Sequence, residues 1–323
     1  MAQHVLALIP LPQETRDALC ARYILHYHPD GPDTAAIAEG ARHGVVAVVT
    51  NGTTGLSGPC MAELPALRLV CSFGVGYENI ALAAAQEKGI AVANAPDTNG
   101  DTVADHALGF MLALSRGYGP LTQAVKQGAW TSSRAARPTL SGSTLGIIGM
   151  GRVGRAIARR AAAFDMQIRY FDRHQQSAEC GSLVGNVTEL ARQSDFLVAA
   201  CPGGPSTHHL INAAVLQALG PMGFLINVSR GSVVHTEDLV AALTLKTIAG
   251  AGLDVLETEP QVPAALRALD NVLLTPHIAG RSPAAQFAQR DALMENLAAF
   301  FAGQPLVSPV SPVLPASGAL TPA

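Results

Sequence analysis

Three side chains far apart in the chain are of types that can do chemistry together. Arg230 stands in FLINVSRG, Glu259 in GLDVLETEP and His277 in VLLTPHIAG. Each comes after a short apolar run of the kind that forms a buried strand, so each is expected near a strand end. An imidazole exchanges protons readily because it ordinarily titrates at about 6.5. A carboxylate beside it fixes the ring and favours its charged form. A planar guanidinium binds carboxylates and polarises carbonyl oxygens. Taken singly, each has an ordinary reading: Arg230 as a cap or surface ion pair, Glu259 as a solvated loop acid, His277 as a satisfied core histidine. The functional reading rests on all three following a fourth feature, a glycine-rich turn.

That turn is Gly149-Met150-Gly151-Arg152-Val153-Gly154, in TLGIIGMGRVGRAIARRAAAF. It comes after an apolar strand and opens an Ala-rich helix, the context that gives the pattern meaning. Gly149 permits the tight turn, Gly151 lets a pyrophosphate approach the backbone, and Gly154 lets the helix pack close to the strand. The amides of Arg152 and Val153 and the helix dipole then face the phosphates. Asp172 in RYFDRH meets the requirement for an acidic residue about 20 positions beyond the turn. Its carboxylate suits ribose hydroxyls and repels a 2′-phosphate, which favours NAD(H). The adjacent Arg173 is suited to that phosphate and keeps NADP(H) open.

The elements that must position these groups are strands alternating with helices. Strands are expected at Val5–Ile9, Gly44–Thr50, Leu67–Ser72 and Ile90–Ala93, with helices at Thr34–Ala41 and Leu82–Lys88. Residues 101–117 form the clearest helix, with Asp101 as its N-cap and Gly117 at its end. Six further strands are expected at Thr144–Ile148, Gln167–Phe171, Phe196–Ala200, Gly223–Val228, Gly250–Asp254 and Val272–Leu274, before a helix at Ala284–Phe301. The runs are apolar throughout, as in parallel sheets covered on both faces. The fold class is therefore α/β, with two Rossmann-like doubly wound domains and a cleft between them. The substrate domain, flavodoxin-like, takes 1–100 plus 284–311, and the dinucleotide-binding domain takes 101–283. Residues 312–323 are expected to be a flexible tail.

Composition narrows the function classes. Hydrophobic residues make up 49% of the 323 and charged residues 14%, enough apolar side chain for large cores. Lys+Arg is 21 against Asp+Glu 24, so no basic excess exists to neutralise a nucleic acid. No apolar run reaches the ~20 residues of a spanning helix, and the N-terminus lacks the basic start of a signal peptide. The 5 cysteines fall at irregular spacings, which points to a reducing, cytoplasmic setting without a disulfide framework. His208 and His209 are adjacent, with Cys201 nearby, but no other ligand follows at metal spacing, so no metal is expected. His106 is expected to pack or support the site, and His235 to mark a helix start.

In this order and spacing, LGIIGMGRVG, LINVSRGSVV, GAGLDVLETEP and LLTPHIAG resemble the D-isomer-specific 2-hydroxyacid dehydrogenases. SFGVGYENI and TVADHALGFML extend the resemblance over about residues 45–307, and the chain is most similar to the glyoxylate/hydroxypyruvate reductase branch. The resemblance implies reduction of a small 2-keto acid, with hydride from NAD(P)H, a proton from His277 held by Glu259, and Arg230 on the substrate. It assigns Pro202, Thr207, Val228, Asp254 and Gly280 to the cofactor, Asp254 at the nicotinamide amide. It assigns Asn51 and the backbone of Val75 and Gly76 to the substrate. It also implies a homodimer, with Trp130 at the contact. In this family an acid usually stands where His235 does. Formate dehydrogenases share the fold but carry Gln at the Glu259 position. Phosphoglycerate dehydrogenases would carry a regulatory domain after residue 310. A 2-ketogluconate reductase, or a catalytically silent NAD-sensing protein of the corepressor type, are the remaining alternatives.

Overall fold

The computed structural model describes residues 3–31, 42–174 and 181–310. The expected helix at Thr34–Ala41 and the tail 312–323 lie outside these residues. The chain divides into two units, 1–99 with 281–323, and 100–280.

The first unit is built on a five-stranded parallel sheet. Its strands are β1 (His4–Ala7), β2 (Ile24–Tyr27), β3 (Val45–Thr50), β4 (Leu69–Ser72) and β5 (Ala91–Ala93), in the spatial order β2-β1-β3-β4-β5. This is the flavodoxin-like order. Helices α1 (Gln13–Cys20), α2 (Gly58–Ala62) and α3 (Leu82–Glu87) connect the strands. One face of the sheet buries Leu6, Val48 and Val70 with Met61 and Leu64, and the other buries Val5, Val49 and Leu69 with Leu293 and Leu297. β2 was not expected: ILHY is half-buried at an edge, so it lacks the solid apolar run that marks its neighbours.

The second unit carries seven parallel strands. They are β6 (Thr144–Ile148), β7 (Gln167–Phe171), β8 (Ser182–Leu183), β9 (Phe196–Ala199), β10 (Phe224–Asn227), β11 (Gly250–Leu253) and β12 (Val272–Leu274). Their order, β12-β11-β10-β9-β6-β7-β8, is the doubly wound dinucleotide-binding order with one strand added at the far edge. The six expected strands are present, and β8 is a seventh. It is two residues long and defined only by pairing with Arg169 and Tyr170, which no local pattern announces.

Helix α4 (Gly100–Arg116) opens this unit, with α5 (Tyr118–Lys126) after it and α6 (Arg152–Ala162) after the glycine turn. Asp101 does not cap α4. It lies inside the first turn, where its carboxylate pairs with Arg160 of α6 at 3.1 Å. Gly117 ends α4 in the left-handed conformation, φ 66°, as expected. Residues 127–143 form turns and irregular chain. Helices α7 (Val187–Arg192), α8 (Ala213–Leu219), α9 (Thr236–Thr244) and α10 (Ala264–Arg267) complete the unit. The chain then returns to the first unit as α11 (Pro283–Phe301), capped by Ser282 on the amide of Ala285 at 3.1 Å. No helix among the described residues is long and apolar enough to cross a membrane.

Candidate active site

The glycine turn lies between β6 and α6. Gly149 has φ +94°, and a Cβ there would come within 2.8 Å of Cys201 Cα. A Cβ on Gly154 would meet Gly149 O at 2.1 Å, so only glycine lets α6 press against the turn. Gly151, the N-cap of α6, differs: a Cβ there would meet no protein atom within 4 Å. Two glycines thus serve the protein's own packing, and the third leaves an open cradle at the helix N-terminus, which fits a diphosphate. Arg152 at the first helical position is exposed, and Val153 leans on the core.

Asp172 follows β7. Its Oδ2 accepts the Met150 amide at 3.0 Å and its Oδ1 accepts the His174 amide at 2.9 Å, so the carboxylate is fixed against the glycine turn. Arg173 donates from Nη1 to Ser206 Oγ at 2.6 Å, which ties the end of β7 to the segment after β9. In that segment the Thr207 hydroxyl donates to Pro202 O at 2.8 Å. Val228, at the end of β10, is buried.

Arg230 follows β10 through a turn made by Asn227. The Asn227 side chain accepts from Ser229 N at 3.1 Å and Ser229 Oγ at 2.9 Å, and donates to Arg230 O at 3.0 Å. The aliphatic stem of Arg230 lies against Gly203, where a Cβ would stand 2.7 Å from Arg230 Cγ. The next residue, Gly231, crosses the chain at Leu256 so closely that a Cβ would be 1.9 Å from the Leu256 carbonyl carbon. That crossing brings the loop bearing Glu259 beside Arg230.

Glu259 joins this loop to the histidine. Its Oε1 accepts the Leu256 amide at 2.8 Å, and its Oε2 accepts from His277 Nδ1 at 2.8 Å. Burial pushes the Glu259 carboxyl up. The hydrogen bonds from His277 and Leu256 and the charges of His277 and Arg230 outweigh it and hold the group below the usual carboxylate range. With Nδ1 so engaged, Nε2 is the ring nitrogen left to exchange a proton.

The histidine itself is held from below. Its φ is +53°, a left-handed backbone that costs energy in a residue with a Cβ and persists only when neighbours enforce it. Asp254, after β11, is the enforcer. Its Oδ1 accepts the Ile278 amide and the Thr275 hydroxyl at 2.8 and 2.6 Å, and its Oδ2 accepts the Ala279 amide at 2.8 Å. The Asp254 carbonyl accepts the His277 amide at 2.9 Å. Thr275 Oγ1 in turn accepts from His106 Nε2 at 3.0 Å, and the His106 ring stands edge-on to Phe110. His106 thus supports the site through Thr275. The clamp role of Asp254 is not visible in the sequence, because its partners are backbone amides. The available signal is an acid ending a fully buried glycine-rich strand. Gly280 is half-buried and ends this unit.

The remaining candidates lie in the first unit, after β3 and β4. Asn51 Oδ1 accepts the amides of Thr53 and Thr54 at 3.0 and 2.7 Å. In the β4 turn, Val75 O accepts from Asn94 Nδ2 at 2.8 Å, and Gly76 O accepts from Ser72 Oγ at 2.5 Å. The two turns pack together, since a Cβ on Gly52 would meet the Gly76 carbonyl carbon at 2.7 Å.

A doubly wound dinucleotide fold with an imidazole–carboxylate pair and a guanidinium at its strand ends defines a nicotinamide-dependent oxidoreductase. The model of the "D-isomer specific 2-hydroxyacid dehydrogenase, NAD binding domain" matches residues 108–279. Hydroxyphenylpyruvate reductase of Plectranthus scutellarioides is 40% identical over 95% of this chain and 98% of its own length. A glyoxylate/hydroxypyruvate reductase of Arabidopsis thaliana is 38% identical over 95% and 98%. Among solved structures, an NADPH-dependent glyoxylate/hydroxypyruvate reductase of Sinorhizobium meliloti, in complex with NADP and malonate, superposes with a TM-score of 0.89 at 37% identity. It covers 96% of this chain and 97% of its own. The chain belongs to the D-isomer-specific 2-hydroxyacid dehydrogenase family and is an NAD(P)-dependent dehydrogenase of it.

Proposed function

We propose that this protein reduces glyoxylate to the achiral glycolate, or hydroxypyruvate to the D-2-hydroxy acid, with His277 as proton donor. The observation that carries the reading is the His277–Glu259 hydrogen bond at 2.8 Å, set beside Arg230 at the strand ends of a dinucleotide fold. When bound, a reduced nicotinamide supplies hydride to the carbonyl carbon. His277 Nε2 delivers the proton to the carbonyl oxygen. Glu259 stabilises the imidazolium that makes this delivery possible. Arg230 binds the substrate carboxylate and polarises the carbonyl. The turn at Val75 and Gly76, in the first unit, is itself suited to a carboxylate. Its carbonyl oxygens are engaged by Asn94 Nδ2 and Ser72 Oγ, which fixes the turn.

Gly149, Gly151, Arg152, Val153 and Gly154 would hold the diphosphate, with Pro202, Thr207, Val228, Asp254 and Gly280 lining the remainder. NAD(H) is the favoured cofactor, because Asp172 is fixed at the end of β7 where a 2′-phosphate would meet its charge. Arg173 is drawn to Ser206 and remains the group that a phosphate would recruit. The working form is read as a cytoplasmic homodimer. Tyr118 and Trp130, 54% and 66% exposed, supply an apolar surface for it.

The test is oxidation of NADH and NADPH followed by ultraviolet absorbance, with glyoxylate, hydroxypyruvate, hydroxyphenylpyruvate and 2-ketogluconate in separate arms. Turnover is expected with the first two, at higher kcat/KM for NADH. Turnover confined to either of the other acids moves the substrate assignment. Cofactor binding with no turnover on any acid favours a sensing protein.

A further inference from the structure

His208 and His209 acquire in the fold a third partner that sequence spacing does not show. We propose that His208, His209 and Glu257 form a binding site for a divalent d-block cation of the zinc class. One ligand atom from each lies within 4.8 Å of the other two.

The local structure brings these donors together. Consecutive side chains on extended backbone point to opposite sides. His209 instead has φ +51°, enforced by its amide on Ser232 O at 2.8 Å, and its ring turns back onto His208 with centroids 3.7 Å apart. Glu257 Oε1 stands 2.5 Å from His209 Nε2, so the imidazole nitrogen already points at a carboxylate oxygen. A cation that replaced the shared proton would require these two atoms to part to about 3.3 Å, the ligand spacing of a tetrahedral site with bonds of about 2.0–2.1 Å. The other oxygen of Glu257 is anchored from behind by the Thr236 amide at 2.9 Å and by the Thr236 hydroxyl. Such outer hydrogen bonds are what fix a ligating carboxylate.

His235 packs its ring edge on His209, centroids 4.4 Å apart, and closes one side of the cluster without supplying a ligand. His209, His235 and Glu257 all line one surface groove, which also takes in Thr236 and Val240, so an ion has a path of entry. Two imidazoles and a carboxylate, with further positions open to water, match the donor set zinc(II) and cobalt(II) accept. A bound ion would pin the segment after β9, which holds Pro202 and Thr207, to the loop that carries Glu259. The site is separate from the proton-transfer pair and uses none of its atoms.

Cobalt(II) and zinc(II) serve as probes of the full chain after treatment with a chelator. Cobalt(II) is expected to give visible ligand-field bands of a four- or five-coordinate site, and zinc(II) to displace it at one ion per chain. His208→Ala and Glu257→Gln should each weaken zinc(II) binding by at least about tenfold in calorimetry. His43→Ala, in the other unit, should leave it unchanged. His208 is exposed, so His208→Ala alone decides the matter if Glu257→Gln fails to fold. Absence of binding, or equal affinity in wild type and both cluster variants, overturns the assignment. So does binding that survives His208→Ala and is lost in His26→Asn, which places the ion on the His4–His26 pair.

Discussion

At the scale of single residues the site is a relay of dependence. Asp254 fixes the chain around His277, Glu259 fixes the ring, and Gly231 allows the Glu259 loop to reach Arg230. His277→Ala is expected to lower kcat for keto-acid reduction by ~10²–10⁴-fold, the usual weight of a general acid. Cofactor affinity, read by fluorescence titration, should stay within about twofold of wild type under the same reasoning. A near-wild-type rate removes His277 from the mechanism. Glu259→Gln keeps the shape but withdraws the charge that favours the imidazolium. Its kcat for keto-acid reduction should therefore fall by ~10-fold or more while cofactor affinity holds, a split that a general loss of structure would not produce. The proposed catalytic residues could be picked out because each is a polar group following an apolar run. The supporting place of His106 was anticipated, but its route through Thr275 and the clamp by Asp254 were not, because they run through backbone amides and a hydroxyl shared across 169 positions of sequence.

Among elements, the glycine turn and the edge strand β2 behave differently under substitution. Gly151→Ala adds a methyl group where no protein atom stands, so the thermal midpoint should hold while cofactor affinity falls. Gly154→Ala drives the same methyl group into Gly149 O, so the midpoint itself should fall. Equal loss of stability in both variants would contradict the distinct roles given to these glycines. At β2, His26 Nε2 lies 3.0 Å from His4 Nδ1 on β1. Burial, with the charges of His4 and His28, lowers the His26 pKa from 6.5. The unfolded chain then takes up a proton that the fold resists. This contribution to stability is complete above about pH 6.5 and is lost as pH falls from there toward the lowered folded value. Denaturant unfolding between pH 7 and 5 should show this slope, and His26→Gln should flatten it. β2 escaped sequence reasoning for the same reason that it is sensitive: a half-polar edge strand has no solid apolar run. β8 escaped because two residues have no pattern of their own.

The whole molecule consists of two units whose sheets follow from runs of Val, Ile, Leu and Ala, and both strand orders are those of doubly wound folds. Their α/β class was readable in sequence for that reason. The expectation of self-association came only from resemblance, since an exposed aromatic carries no periodic signal. Trp130→Ser combined with Tyr118→Ser is expected to halve the mass measured by light scattering. An unchanged mass would place the contact elsewhere. The first unit is discontinuous: α11 supplies Leu293, Met294 and Leu297 to the face of its sheet, and Val310 N donates to Val92 O beside β5. On the ribosome, this sheet therefore emerges with one flank bare and waits for roughly 180 more residues, about 10–40 seconds at ~5–20 residues per second. The central unit, one unbroken stretch, is complete before its predecessor. Residues 283–310 leave the exit tunnel after the central unit and finish the first, and nascent chains halted short of them should be the ones that chaperones hold.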